Sequence, residues 1–486
     1  MAERTAIRGG TIIAFDGTEH RQLEDGVLVF EGDRIVHVGR SYQGPAQRTI
    51  DATGKLVIPG LISTHAHVGL QEGGRFLVDG GRRDFLRSGF LNYLPMRKAG
   101  GPSFLAKQDA RASLQFGFAS LLRHGVTTVV PFAPGGSDNG GTMVRTAGEM
   151  GLRIYYAPLA TGGRYVYDEE GRVELLMDEN LGLGMLEKAA EFIREFDGAC
   201  DGRVRPIIVL DEYYVSTPAL RRRAKELAER SGLRLTLHFA EQLREFFETV
   251  TRTGRTPLQL LADEGFLGPQ VILAHCLYLA GHSLVNYPFV DDLEILAASG
   301  ASIAHSPAGI ARRGLGLESF QRFLDRGVNI ALATDAYPLD LFSEMRMTAV
   351  ACKLLERNHE AADAMAVFRA ATLGGARALG RDDLGRLAPG AKADIVLLDV
   401  ENLQFGVNPD PIRALVHLAT GNMVDTVIVD GRTLVADGQL LVCDEGELLR
   451  AVRASSRRVW EAFPTYHWAG QSVEEVFPPC IRTWEE

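Results

Sequence analysis

Between residues 60 and 335, eight short and nearly continuous apolar runs alternate with longer stretches of helical periodicity. The runs are GLISTHAH (60–67), VTTVVPF (126–132), RIYYAPL (153–159), RPIIVL (205–210), LRLTLHF (233–239), VILAHC (271–276), ASIAHS (301–306) and VNIALATD (328–335). Strands apolar on both faces suit a parallel sheet covered on both sides. The intervening stretch 217–232, TPALRRRAKELAERSG, carries apolar residues at helical spacing and ends in Gly232, a helix stop. Eight strand–helix units in this span predict an α/β chain built on a closed (β/α)8 barrel. An open doubly wound sheet would usually need a glycine-rich phosphate turn after its first strand, and none follows this one.

The chain ends have a different texture. GTIIAF, GVLVFEG and RIVHVG near the start, and ADIVLLDV, DTVIVDG, RTLVADG and QLLVC after residue 385, are short β-branched runs with Gly and Asp turns. They predict a small β-sandwich built from both chain ends. The expected division is 1–57 and 386–450 for the sandwich, 58–385 for the barrel, and 451–486 for a C-terminal helix and tail. Residues 69–103, after the first barrel strand, hold many glycines and Arg75, Arg82, Arg83, Arg87 and Arg97. At the C-terminal face of a barrel such a loop is expected to serve as a lid or substrate wall. The glycine-rich stretch 133–142 matches no phosphate motif and is expected to be a turn.

Composition narrows the class. Among 486 residues, 46% are hydrophobic and 23% charged, as in an ordinary globular protein. The net charge of −10 argues against a nucleic-acid partner. No apolar run is long enough for a membrane span. The N-terminal stretch has no secretory h-region, and the five cysteines are scattered without a CxxC pair. A cytoplasmic protein with a small-molecule substrate is expected.

The chemistry is concentrated at strand ends. His65 and His67 are two apart on the first barrel strand, so their side chains share a face. His238, His275, His305 and Asp335 end the fifth to eighth runs. Any one of these histidines alone is more often a core residue. Together, on the face where barrel active sites sit, they predict a metal centre. Imidazoles plus one carboxylate suit zinc, Zn2+, or ferrous iron, Fe2+, with a position left for water. Glu241, three residues past His238, is placed to move protons over that centre.

The ordered set PGLISTHAH (59–67), LLRHGVTTV (121–129), LHFAEQ (237–242), GPQVILAHC (268–276), IAHSP (303–307) and ATDA (333–336) resembles the amidohydrolase superfamily. The similarity is to its mononuclear branch of cytosine, guanine, methylthioadenosine and triazine deaminases and chlorohydrolases. The resemblance implies His65, His67, His238 and Asp335 as ligands of one divalent metal, and Glu241 as the acid/base. It implies that His275, with Asp335, would orient the attacking water and that His275 would also face the developing oxyanion. His305 would have a weaker role near the pocket.

A two-metal site with a carbamylated lysine is not expected, because no lysine occurs between Lys188 and Lys225. Two stretches depart from the family. VLDEYYVSTP (209–218) puts Asp211 where the branch has a substrate-reading histidine, with Glu212 and Tyr213 beside it. AYPLD (336–340) replaces an ASN-like run. These residues are expected to line the substrate pocket. The implied activity is hydrolytic deamination of an amino-substituted N-heterocycle: a purine, pyrimidine, pterin or triazine. Amide hydrolysis, chlorohydrolysis or a non-catalytic metal protein are the alternatives. A homodimer or higher homo-oligomer is implied as well.

Overall fold

The computed structural model describes residues 3–72, 97–312, 314–318, 320–407, 409–481 and 483–484. Eight parallel segments carry the centre: β1 (Leu61–Ala66), β2 (Val126–Pro131), β3 (Arg153–Tyr155), β4 (Ile208–Glu212), β5 (Leu235–Phe239), β6 (Val271–His275), β7 (Ser302–His305) and β8 (Asn329–Leu332). They fall into two sheets. β1, β2 and β3 pair in order with the short strand Val204–Arg205, and β4 to β8 pair in order as a second sheet. Parallel bridges Ala66–Asp335 and Ala160–Leu210 link the two sheets on either side. The unbroken ring expected from the sequence is therefore interrupted twice: between β8 and β1, which share a single bridge, and at the fourth run, which Pro206 splits into two pieces, since proline cannot donate to a ladder.

Alternation along the strands shows what the sheets enclose. On β6, Ile272 and Ala274 belong to one buried cluster, with Ile62, Val130, Val209, Ala304 and Ala331 from five other strands. Their neighbours Val271 and Leu273 belong to the larger core beneath the helices. Residues from both sheets thus share one interior, and the opposite faces carry the helical layer.

The helices begin and end where local chemistry dictates. Pro218–Ser231 starts at Thr217, whose side chain accepts from the Leu220 amide, and stops at Gly232 with φ +65°. One element was not anticipated. An antiparallel hairpin, Gly163–Tyr167 with Val173–Met177, stands after β3. Its Asp168 side chain accepts from the amides of Glu170 and Arg172 and so shapes the turn. The 133–142 stretch is a turn followed by the start of helix Gly141–Met150.

Strands from the two chain ends lie in one sheet. One sheet orders Gln439–Leu440, Arg432–Ala436, Val424–Val429 and Ile395–Asp399 beside Lys55–Pro59, Thr11–Phe15 and His20–Glu24. A second sheet joins Arg34–Gly39, Val27–Glu31, Arg4–Arg8 and Arg48–Asp51. Ile7, Leu28 and Phe30 of the second sheet share a buried cluster with Ile12, Val57, Ile395 and Ile428 of the first.

The C-terminal helix runs Glu445–Tyr466, and Asp444 caps its start. It steadies the chain leaving β1. The buried Glu72 carboxylate accepts from Ser455 (2.6 Å) on this helix, and from Ser113 (2.8 Å) and Gln108 (2.7 Å). Of the expected 69–103 loop, residues 73–96, with Arg75, Arg82, Arg83 and Arg87, lie outside the described residues. Among the described residues no helix is long and apolar enough to cross a membrane.

Candidate metal centre and active site

The strand ends bring the predicted ligands together. One ring nitrogen each from His65, His67 and His238 lie within 4.8 Å of one another, and so do ligand atoms of His65, His275 and Asp335. The Nε2 atoms of His67 and His238 are 3.1 Å apart. Asp335 Oδ1 stands 3.6 Å from the Nε2 of both His65 and His67. His65 is fully buried, and neither of its ring nitrogens has a hydrogen-bond partner. Such orphaned groups are costly unless something binds them. His238 Nδ1 faces the Asp211 carbonyl oxygen at 3.1 Å, which leaves Nε2 for the centre.

Electrostatics favour the same donor set. Burial pushes the His65 imidazole down to about 3 and holds His238 well below its ordinary value, with the neighbouring histidines adding to the effect. Both rings are therefore neutral near pH 7 and offer lone pairs, as a metal ligand must. Burial raises the Asp335 carboxyl, but His65, His275 and His67 outweigh that and hold it below the carboxylate range. Three neutral imidazoles and one carboxylate fit a single divalent cation.

Glu241 and His275 form the second tier. Glu241 Oε2 is 3.7 Å from His275 Nε2, and both side chains are buried. Ser306 Oγ lies 3.2 Å from His275 Nδ1, a neighbour that the sequence reading had not singled out. His275 reaches the site by an unusual backbone turn. Strand parity would send it away from the interior that holds Ala274, and its φ of +70° reverses that direction. Ala240 and Asp335 also have positive φ, +51° and +54°. Left-handed non-glycine residues cluster at functional sites, where packing holds the strain. The Ala240 turn is held by Glu245, whose Oε1 accepts its amide at 2.8 Å.

The predicted pocket residues separate. Asp211 and Glu212 end β4, and their carboxylates lie within 4.8 Å of each other and of a His238 nitrogen. Burial lifts the Asp211 carboxyl to about 6. Burial, then the nearby Glu241 and Asp211, lifts Glu212 well above its ordinary value. Glu212 is 4% exposed and its Oε2 has no hydrogen-bond partner. His305 ends β7 buried beside Phe320, its ring centroid 5.9 Å away.

Tyr213 is not brought to the cluster. Its ring packs under the Arg221 guanidinium and edge-on to Phe239. The next residue, Tyr214, accepts from Gln242 at 3.0 Å and lies tilted against Tyr165 of the unanticipated hairpin, 4.9 Å between centroids. Phe132 was also missed. Its ring stands 4.1 Å from that of His65 and 4.8 Å from that of His238, closing the apolar side of the centre. Its only sequence signal is its place at the end of the second run.

Known proteins carry the same frame. Residues 56–434 match the model of the amidohydrolase family. A 5′-deoxyadenosine deaminase from Methanothermobacter thermautotrophicus is 30% identical over 442 residues, 89% of this chain and 95% of that protein. A 5-methylthioadenosine/S-adenosylhomocysteine deaminase from Acetivibrio thermocellus is 27% identical over 421 residues, 85% and 89% of the two chains. A zinc-bound adenosine deaminase structure from Xanthomonas campestris superposes with a TM-score of 0.78 at 21% identity, covering 94% of this chain and 98% of that one. The chain belongs to the amidohydrolase family, and within it to the deaminase and chlorohydrolase branch. It is an aminohydrolase acting on carbon–nitrogen bonds.

Proposed function

We propose that this aminohydrolase removes the ring amino group of an adenine carried on a 5′-modified nucleoside, using one zinc ion. The observation that carries the reading is the convergence of His65, His67, His238 and Asp335 beneath the Glu241–His275 pair. The 5′-deoxyadenosine and methylthioadenosine deaminases among the relatives support the nucleoside class. The donor set suits zinc or ferrous iron, and the zinc-bound adenosine deaminase of the same fold supports zinc.

The proposal takes the two parallel sheets as one barrel and the two antiparallel sheets as a sandwich, with boundaries near 57, 385 and 450. It also takes the protein to be a cytoplasmic homodimer without nucleic-acid or membrane partners. The family resemblance supports the dimer, and cysteines unpaired throughout support a reducing compartment.

A bound divalent metal would supply a water acidic enough to attack near neutral pH. Glu241 takes a proton and delivers it to the ring nitrogen next to the amino-bearing carbon, which makes that carbon electrophilic. His275, steadied by Ser306 Oγ, and Asp335 orient the nucleophile. Glu241 then carries a proton to the departing amino group, so that water and aminoheterocycle become oxoheterocycle and ammonia. Phe132 keeps one side of the site dry. Asp211 faces the substrate with its carboxylate, which favours an edge presenting N–H donors, while Glu212, whose proton burial retains, can donate as well as accept.

The test is ammonia release from 5′-deoxyadenosine, methylthioadenosine, S-adenosylhomocysteine, adenosine, guanine, cytosine, a pterin and an aminotriazine, with metal analysis of the same sample. The proposal expects the adenine nucleosides to lead in kcat/KM and about one zinc per chain. A leading pyrimidine or triazine would overturn the substrate class, and two metals per chain would overturn the mononuclear site.

A further inference from the structure

The opposite end of the parallel strands holds a separate crevice of about 750 Å3, within the range of small-molecule sites. Its wall is built from the starts of the central strands and from the small β region. Arg205 precedes β4, Arg234 precedes β5, and Arg34, Arg381 and Lys392 complete the basic lining. Among the described residues Glu229 is the one acidic residue on that wall, in a chain of net charge −10.

The five cations are not equivalent. Arg381 grips Asp383 at 2.7 and 2.9 Å and donates to the Tyr155 hydroxyl at 2.8 Å. Arg34 shares the same Asp383 at 2.8 Å. Lys392 meets Asp33 at 2.6 Å and Asp430 at 3.0 Å. Among the described ion pairs Arg205 has a longer contact, 3.6 Å, to Asp197, with both side chains about half exposed.

Arg234 stands apart. Among the described ion pairs it has no carboxylate, and its Nη1 donates to the Pro269 carbonyl at 2.6 Å. It is half-buried, and desolvation disfavours its charge. Its guanidinium lies across Gly380, where a Cβ would come within 2.1 Å of Nη2 and where φ is +69°. The backbone is therefore bare at the point where this cation crosses it.

A guanidinium with free donors, partly removed from water and flanked by further cations, is the arrangement that recognises phosphate. Pro206, Leu233 and Leu379 give the same crevice an apolar wall. We propose that this crevice binds a phosphate-bearing organic molecule of about nucleotide size, with its phosphate on Arg234. Arg205 supplies the second positive charge at the rim. The organic portion lies on the apolar wall.

Calorimetric titration of the metal-loaded full chain tests this with uridine 5′-monophosphate, ribose 5-phosphate, uridine and inorganic phosphate, each at matched ionic strength. Neither organic phosphate carries an amino group that the enzyme could remove. Saturable binding of either one, with uridine not binding and inorganic phosphate binding more weakly, is expected. Arg234→Gln should weaken that binding at least about tenfold, the loss of a charge-assisted contact. Arg234→Lys should recover part of it. Unchanged thermal midpoints and deaminase turnover would show both variants folded.

No saturable binding of either organic phosphate would overturn the proposal. Equal affinity in Arg234→Gln would overturn it by placing the ligand elsewhere. Inorganic phosphate binding as tightly as both organic phosphates would overturn the organic ligand. A variant that fails to fold leaves Arg205→Gln as the second measurement, which must weaken binding for the proposal to stand.

Discussion

The two ends of the parallel strands both bury charge, but they treat it in opposite ways. At the C-terminal end, His65, Glu212 and His305 present buried polar atoms without hydrogen-bond partners. At the N-terminal end, Arg153, 1% exposed, meets Asp430 at 2.5 Å and Asp394 at 3.1 Å, and Lys392 adds a second cation. The Asp430 amide in turn donates to Asp394 at 2.9 Å. At this end Arg153 is held between two carboxylates, although its Nε and Asp394 Oδ2 have no hydrogen-bond partner, and this ion cluster ties β3 to the small β region. The other end is left unmatched by the protein, and this suits it to a metal and a substrate. Stability is therefore concentrated at one end and chemistry at the other, the usual division in barrel enzymes.

Substituting one residue at each end should separate the two roles. Glu241→Gln is expected to lower kcat by about 10²- to 10⁴-fold, because the amide cannot carry a proton. Metal content and melting temperature should stay near wild type. Turnover within a few-fold of wild type would remove Glu241 from proton transfer. Arg153→Ala should do the reverse. It leaves Asp394 and Asp430 buried beside a vacated cation site, at a cost of about 3–5 kcal/mol. Denaturant unfolding should record that loss, while the fraction still folded keeps its kcat. A fall in kcat without a fall in stability would contradict the division.

A third measurement sharpens the contrast through pH. His20 is buried between Phe15 and Phe368, 3.2 Å from Thr372 Oγ1, where the small β region meets the barrel helices. Burial, helped by Arg369 and Arg386, pushes its imidazole down to about 4. In the unfolded chain the ring takes a proton near 6.5. Between those values the unfolded state binds more protons, so stability is complete above about pH 6.5 and declines as pH falls toward 4. The loss should reach about 3 kcal/mol at most. His20→Gln should flatten the fall in melting temperature across that window. An unchanged slope would assign the acid sensitivity to other groups.

The smallest expected effect is at Asp211. Asp211→Asn should lower kcat/KM by about ten- to a hundredfold for a substrate whose N–H it accepts, a loss of the order of one charged hydrogen bond. The penalty should shrink for an analogue lacking that donor. Equal penalties for all analogues would assign the Asp211 carboxyl a structural role, since the backbone carbonyl that faces His238 is untouched by the substitution.

Much of the site was legible in the chain itself. The eight apolar runs and the histidines closing them required only period-two geometry and the knowledge that barrel chemistry gathers at strand ends. The motifs around His65, His67, His238, Glu241, His275 and Asp335 kept their order, so the family could be read before any coordinate. The remainder depended on contacts distant in sequence. Phe132 enters the centre because β2 lies beside β1. The hairpin after β3 brings Tyr165 to Tyr214, and the C-terminal helix reaches back to Glu72 across more than three hundred residues.

Tyr213 and Tyr214 show the limit most plainly. Two adjacent tyrosines are indistinguishable in a linear pattern, yet Arg221 captures the first and Gln242 the second. Local spacing determined which residues could face the strand ends, because side-chain direction along a strand follows from backbone geometry. Only the tertiary structure decided which of them meet, because burial, charge matching and the positive φ at His275 depend on what packs against each strand.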